Sequence, residues 1–398
     1  MKLLRTLLIL IFIHGSLSAQ DRKRDNASSS SRDDGYVFTT ITSLKATPVK
    51  DQARTGTCWC FATTSFIESE LLRTGKGEFD LSEMFIVRHN YLNKLRDNYI
   101  RNGKGNLGEG SLAHDFIRVF TENGIVPEEV YTGLNYGSES HNHSELQSYL
   151  STVAGVAVQK KKESDEYHEI VNGILDSYLG ELPQTFTWKG ESFTPSSFVS
   201  SLGINPEDYV EITSFSHIPY YSRGLLEVPD NWAHERFYNV PLEDLIHIMD
   251  YSFANGYTVN WDGDVSERGF SRQKGIAINP AIASAENPSG TDGNTRKSQT
   301  TDPFSFTRPV TEVQVTQDIR QAGYENFSTT DDHLMHLTGT AMDQNGTLYY
   351  ITKNSWGTDD MVYNGYWYMS ESYVRAKTIF IMVHKDGIPR EIRDRLGI

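Results

Sequence analysis

The sequence predicts an α+β protein in which a helical lobe comes first and a sheet lobe last. Apolar residues recur at helical spacing in the first third of the chain. The last hundred residues hold short apolar or alternating runs separated by turn signals. No internal repeat interrupts this order.

Taken in order, residues 58–73 place Phe61, Phe66, Ile67, Leu71 and Leu72 on one helical stripe, and Arg73 with Gly75 stops it. Thr55, Gly56 and Thr57 precede it as capping residues. Further helices are expected at about 82–100 and 111–123, the second closed by Asn123-Gly124. Helices near 164–180 and 241–255, and strands near 208–216 and 256–262, make the middle mixed. Residues 284–302 hold almost no apolar group and read as a mobile loop. Strands follow at Leu334–Ala341, Thr347–Lys353, Gly365–Ser370 and Thr378–Val383, with Asn345-Gly346 as a hairpin turn.

Of 398 residues, 38% are apolar and 22% charged, which suits a soluble globular chain with a sizeable core. The formal net charge is −15 with no long basic run, so nucleic acid and anionic membrane surfaces are poor partners. The start reads as an export signal over residues 1–19. Lys2 and Arg5 precede the short apolar run Leu7–Ile13, and Ser16-Leu17-Ser18-Ala19 offers small residues for cleavage. The alternative is an N-terminal anchor, although the run is well short of the ~20 apolar residues a span needs. Residues 20–36 are polar and simple in composition, the mark of a disordered linker. A periplasmic or extracellular location follows.

Only two cysteines exist, Cys58 and Cys60, one residue apart and therefore poorly placed to bridge. Cys58 opens the first helix, where free N–H groups and the macrodipole favour a thiolate and lower its pKa. Gln52, six residues upstream, can donate with the Cys58 N–H to a developing oxyanion. Trp59 can shield the site from water. A thiolate also needs a proton carrier. His333 opens a strand in Asp331-Asp332-His333-Leu334-Met335-His336-Leu337-Thr338-Gly339. His336 lies an odd number of steps on, faces the other way, and is read as packing, with a base role as its alternative. Asn354, in Lys353-Asn354-Ser355-Trp356-Gly357, can accept from the imidazole and fix its tautomer, with Trp356 covering the bond.

The Gln52-to-Phe61 block, with Gly56 two before Cys58 and Trp59 after it, resembles the active-site segment of the papain superfamily. The blocks around His333 and Asn354 resemble that family's other two motifs. Thr55 stands where papain has a disulfide cysteine, a departure similar to the bleomycin hydrolase and aminopeptidase C branch. Leu81-Ser82-Glu83-Met84-Phe85, Gly108-Glu109-Gly110-Ser111 and Tyr238–Leu245 extend that likeness, which covers most of residues 40–385. The resemblance implies a papain-like two-lobe fold with a large insertion between Cys58 and His333, a cysteine peptidase activity, no cofactor and no metal. It implies a helical lobe at about 50–135, an insertion at about 136–205 and a sheet lobe at about 206–262 and 330–385. It also implies peptide substrates with free N-termini and a homo-oligomer, a hexamer by resemblance. In that family the C-terminal carboxylate lies in the cleft and selects free amino termini. Here residues 386–398 are charged rather than alanine-rich, and a frayed surface end is the alternative. An endopeptidase of the same chemistry, or a catalytically silent peptide-binding scaffold, are the competing functions.

Other constellations carry bland readings. His141 and His143 read as solvated loop histidines rather than metal ligands. Asp262 and Asp264 read as a turn. Asp332, with Asp331, sits beside the base, where it could bind a substrate ammonium or serve only solubility.

Overall fold

A computed structural model of the chain describes residues 35–281 and 302–398. The expected export signal, all but the last two residues of the expected linker, and the expected loop at 284–302 up to Thr301 lie outside the described residues. Tyr36, assigned to the linker by composition, instead stacks on Phe38 and meets Tyr349 edge-on.

The helical lobe opens after strand β1 (Thr39–Ser43) with α1 (Cys58–Arg73), α2 (Glu83–Ile100) and α3 (Ala113–Glu122), then α4 (Ser144–Lys160) and α5 (Asp165–Leu179). A small hairpin, β2 (Phe186–Trp188) and β3 (Glu191–Phe193), leads to α6 (Pro195–Leu202). Ser82 caps α2 by accepting from Phe85 N–H, and Ser164 caps α5 by accepting from Tyr167 N–H. Helix α1 is buried from Cys58 through Leu71, polar positions included, because it runs between the lobes rather than along a surface. Its own start has no side-chain cap: the Thr57 hydroxyl bonds to that of Thr55 at 2.6 Å.

The sheet lobe follows: β4 (Tyr209–Thr213), β5 (Ser222–Leu225), β6 (Arg236–Asn239), α7 (Leu242–Ala254), β7 (Val259–Gly263), β8 (Phe270–Ser271) and β9 (Ile276–Ala277). Then come α8 (Gln317–Glu325), β10 (His333–Met342), β11 (Leu348–Lys353), β12 (Tyr366–Ser370), α9 (Glu371–Lys377), β13 (Thr378–His384) and α10 (Arg390–Leu396). The strands join in the order β5-β6-β4-β13-β7-β10-β11-β12-β9-β8, with β1 on the far half of β10. That close approach requires Gly339, where a Cβ would strike the Thr42 carbonyl. Gly346, at φ 83°, makes the expected turn between β10 and β11.

Alternation along β10 and β13 divides the interior. Leu334, Phe380 and Met382 join the core of α1, α2 and α3, whereas Met335, Leu337, Ile381 and Val383 join a second core with α7. The terminal helix α10 belongs to that second core through Ile392 and Leu396. Arg393 bonds Asp386 at 2.8 Å, and the Arg395 guanidinium lies 3.3 Å over the Tyr221 ring. The tail is therefore neither a frayed end nor a cleft filler. Its short apolar stripe finds a partner on the sheet face opposite α1. Helix α4 was not expected either; its buried Leu146, Leu150, Ala154 and Ala157 carry the i, i+4 spacing, but the exposed face masks it.

Candidate active site

Three chain segments converge where α1 begins. Cys58, 9% exposed, sits at the helix start, and the backbone N–H of Leu334 bonds its sulfur. Leu334 directly follows His333, the first residue of β10. Fold topology thus brings the thiol and the imidazole-bearing strand together. His336, three residues on, turns to the α1 side and bonds Ser65 Oγ through Nδ1 at 2.9 Å, buried and packed on Phe66. Cys60 likewise packs, donating its S–H to the Glu83 carbonyl at 3.2 Å.

On the β11 flank of His333 stands Asn354. Its Oδ1 lies 2.7 Å from His333 Nε2 and accepts the Ser355 N–H at 2.7 Å. The Ser355 N–H, which can only donate, identifies this atom as the amide oxygen. Nε2 therefore carries the hydrogen and Nδ1 keeps the lone pair. The Trp356 ring lies 4.7 Å from the imidazole and covers this bond, itself held edge-on by Trp367. Gln52 joins the same array: Ser355 Oγ donates to its Oε1 at 2.7 Å, and its Nε2 donates to the Thr55 carbonyl at 2.7 Å. An amide nitrogen has two hydrogens, so one remains. Trp59 is fully buried and donates to the Glu109 carbonyl at 3.1 Å. The Glu109 carboxylate accepts the Gly56 N–H at 2.6 Å and so fixes the turn before Cys58, a role no motif spacing announced.

The other flank, toward β7, is acidic. Asp262 pairs with Leu334 across β7 and β10 and is fully buried inside the strand expected near 256–262, so its separate reading as a turn residue fails. The Trp-Asp-Gly-Asp run resembles a turn in composition, but Val259 to Gly263 is buried throughout. Asp331 and Asp230 join it. Asp332 does not: its carboxylate accepts from Val265 N, Ser266 N and Thr330 Oγ1, at 3.3, 3.2 and 2.8 Å, and clamps that loop. Asp264 does make the expected local turn, accepting from Ser266.

These surroundings reverse the expected thiol electrostatics. Burial, eased by the Leu334 N–H and reinforced by the charges of Asp262, Asp230 and Asp331, pushes the Cys58 thiol up to about 12. Burial pushes His333 down to about 4 against the help of Asn354. The helix-start argument counted the dipole and missed both desolvation and the acidic flank. Both shifts favour the uncharged form of the group concerned. His141 and His143 also depart from expectation. His141 is 9% exposed and His143 fully buried, its Nδ1 2.8 Å from the Tyr91 hydroxyl, so neither is solvated. Among the described residues no group of three or more His, Cys, Asp or Glu is placed to hold a metal ion.

Residues 39–178 match the papain family cysteine proteases, and residues 299–397 match the Peptidase C1-like family. The chain is 24% identical over 394 residues to Aminopeptidase C of Streptococcus thermophilus, spanning 86% of this chain and 81% of that protein. It is 20% identical over 414 residues to the mitochondrial Cysteine proteinase 1 of Saccharomyces cerevisiae, spanning 92% of this chain and 80% of that one. The crystal structure of PepW from Lactobacillus rhamnosis shares the fold, with a TM-score of 0.67 at 18% identity over 90% of this chain and 84% of that chain.

Proposed function

The chain belongs to the papain superfamily of cysteine peptidases, in the aminopeptidase C branch, and from that premise we propose that Cys58 and His333 cleave residues from the free N-termini of peptides. The observation that supports the reading is that Leu334 N–H bonds the Cys58 sulfur while His333, the residue before Leu334, has its Nε2 2.7 Å from Asn354 Oδ1.

His333 Nδ1 takes the thiol proton as the sulfur attacks the scissile carbonyl carbon. The carbonyl electrons move to oxygen, where the Cys58 N–H and the remaining Gln52 amide hydrogen stabilise the charge. Collapse expels the amine, which takes the proton from the imidazolium and leaves a thioester on Cys58. Water, deprotonated by His333, then hydrolyses the thioester and returns the proton to sulfur. Asn354 keeps Nε2 protonated, so that Nδ1 is the basic nitrogen throughout. Residues 1–19 export the enzyme to the periplasm or beyond, and copies assemble into a hexamer. N-terminal sequencing of fractionated protein and light scattering test these two points.

The central test is labelling with iodoacetamide in reductant, beside turnover of fluorogenic aminoacyl amides. Selective mass addition at Cys58, with turnover lost in Cys58→Ala, is the expected result. Labelling confined to Cys60, or turnover surviving in Cys58→Ala, overturns the assignment.

A further inference from the structure

A peptidase that removes N-terminal residues must hold the substrate's ammonium near the thiol and stop a longer chain from running past it. The C-terminal carboxylate is not in position for this, because α10 packs with α7 on the sheet face away from α1. Another segment is.

Residues 226–232, in the loop between β5 and β6, reach out from the sheet lobe against the helical lobe near Cys58. On the helical side Asn106 Nδ2 donates to the Pro229 carbonyl at 2.9 Å and to Asp230 Oδ1 at 3.3 Å. Trp232 Nε1 donates to Ser111 Oγ at 3.0 Å, with the Arg118 guanidinium 4.8 Å over its ring. On the sheet side the Asp230 N–H bonds the Asp331 carboxylate, and Tyr324 Oη donates to the Glu227 carbonyl at 3.1 Å. Asn231 stiffens the segment by donating to the Leu226 and Glu235 carbonyls at 2.9 and 3.0 Å. The Asp230 carboxylate presses so close to Gly110 that a Cβ there would collide with it. This is a fixed strap rather than a loose loop.

The strap brings Asp230 to Asp331 and Asp262. Among the described residues no donor reaches either oxygen of Asp262, although the side chain is fully buried. The polar group within its reach is another carboxyl, that of Asp331, whose Oδ2 is also without a donor. Both Asp262 oxygens and Asp331 Oδ2 thus face only each other's carboxyl, so the pair must share a proton or meet a cation. This acidic cluster flanks β10 on the β7 side, whereas the imidazole, amide and indole stand on the β11 side. The leaving amine must take its proton from the imidazole, so the acyl half of the substrate points the other way, to the carboxylates.

Resting on the aminopeptidase reading, we propose that the 226–232 strap closes the acyl side of the cleft, and that Asp230, Asp331 and Asp262 bind the substrate's terminal ammonium. A lysine side chain carries the same ammonium chemistry and is the competing ligand.

Three fluorogenic substrates separate the cases: alanyl amide, N-acetyl-alanyl amide and N-acetyl-lysyl amide, each assayed on the full chain. The expected wild-type order is free alanyl far above both blocked forms. Asp230→Asn and Asp331→Asn should each lower kcat/KM for the free substrate on the order of a hundredfold, mainly through KM, and leave the blocked ones within about twofold. If one variant fails to fold, the other carries the reading. A chain ending at Leu396 should keep wild-type selectivity. Unchanged selectivity in a folded Asp variant, selectivity lost with the two-residue truncation, or efficient N-acetyl-lysyl cleavage each overturns the proposal. Labelling at Cys58 with equal turnover of free and blocked substrates retains the peptidase and discards the strap's role. No turnover and no labelling discards both.

Discussion

The two flanks of β10 differ in how they are made. The β11 flank is local: His333, Asn354, Ser355 and Trp356 lie within 24 residues on β10 and just past β11, and hydrogen bonds to Asn354 Oδ1 and Gln52 Oε1 tie the groups that hold the imidazole, with the Asn354 Nδ2 alone left without a partner among them. The β7 flank is assembled from three distant segments, carrying Asp230, Asp262 and Asp331, and leaves its carboxyl oxygens short of donors. The first flank already holds the imidazole in one orientation in the free protein. The second holds carboxyls that must share protons in the free protein and can exchange them for a cation. Bond cleavage is therefore assigned to the ordered flank and choice of substrate to the frustrated one.

Substitution can break that division most sharply on the β11 side. His333→Ala should lower kcat by roughly a thousandfold or more for free and blocked substrates alike, because it removes the proton carrier from every reaction. Asn354→Ala should cost less, roughly ten- to a hundredfold, and again without substrate preference, because the imidazole stays but its tautomer and orientation are no longer imposed. Steady-state kinetics on both substrate types checks this. A loss confined to free-amine substrates in either variant would merge the two flanks.

The contrast also explains what the sequence displayed. Helix α1 was legible to its last residue because its stripe ends at Arg73 and Gly75, and the hairpin at Asn345-Gly346 because φ there must be positive. The β11 flank was legible because its residues are close in sequence and each has a chemistry that requires that neighbour. Asp262 was misread because burial, not composition, decides between strand and turn, and the pairing that buries it joins β7 to β10 some seventy residues on. Asp230 carried no signal: a Pro-Asp-Asn run is ordinary turn chemistry until the fold sets it against Gly110. The thiol's raised pKa was hidden for the same reason, since Asp230, Asp262 and Asp331 act on it only through space.

Acidity separates the flanks by a smaller factor. Burial, with the nearby charge of Asp230, raises Asp331 to about 7, and the acidic group titrates as a unit. Below that pH the cluster takes up protons and loses its pull on an ammonium. A substrate α-amine, with a pKa near ~8, loses its own charge above it. The efficiency toward free-amine substrates should thus trace a bell between about 7 and 8, falling up to about tenfold per unit on the acid side. Blocked substrates should show no acid limb in that range, because His333 stays uncharged down to about 4. Matching acid limbs for the two substrate types would remove the carboxylates from the account.

The smallest effect is on stability, and its sign is opposite to that of most core substitutions. Burial, then the charges of Asp331 and Asp230, hold the Asp262 carboxyl well above its ordinary range. A carboxyl whose pKa is raised by folding binds a proton the unfolded chain gives up. The folded state is therefore penalised as pH rises above the unfolded value of 3.8, and the penalty grows until the folded pKa is reached. Asp262→Asn keeps the shape and removes the titration. It should raise Tm at pH 8, equivalent to about 1–3 kcal/mol, and change it little at pH 3.5, below the unfolded value, where both states are mostly protonated. Catalytic efficiency toward free amines should fall in the same variant. A protein that gained stability at both pH values, or lost it at pH 8, would show that Asp262 is held by partners rather than kept waiting for a cation.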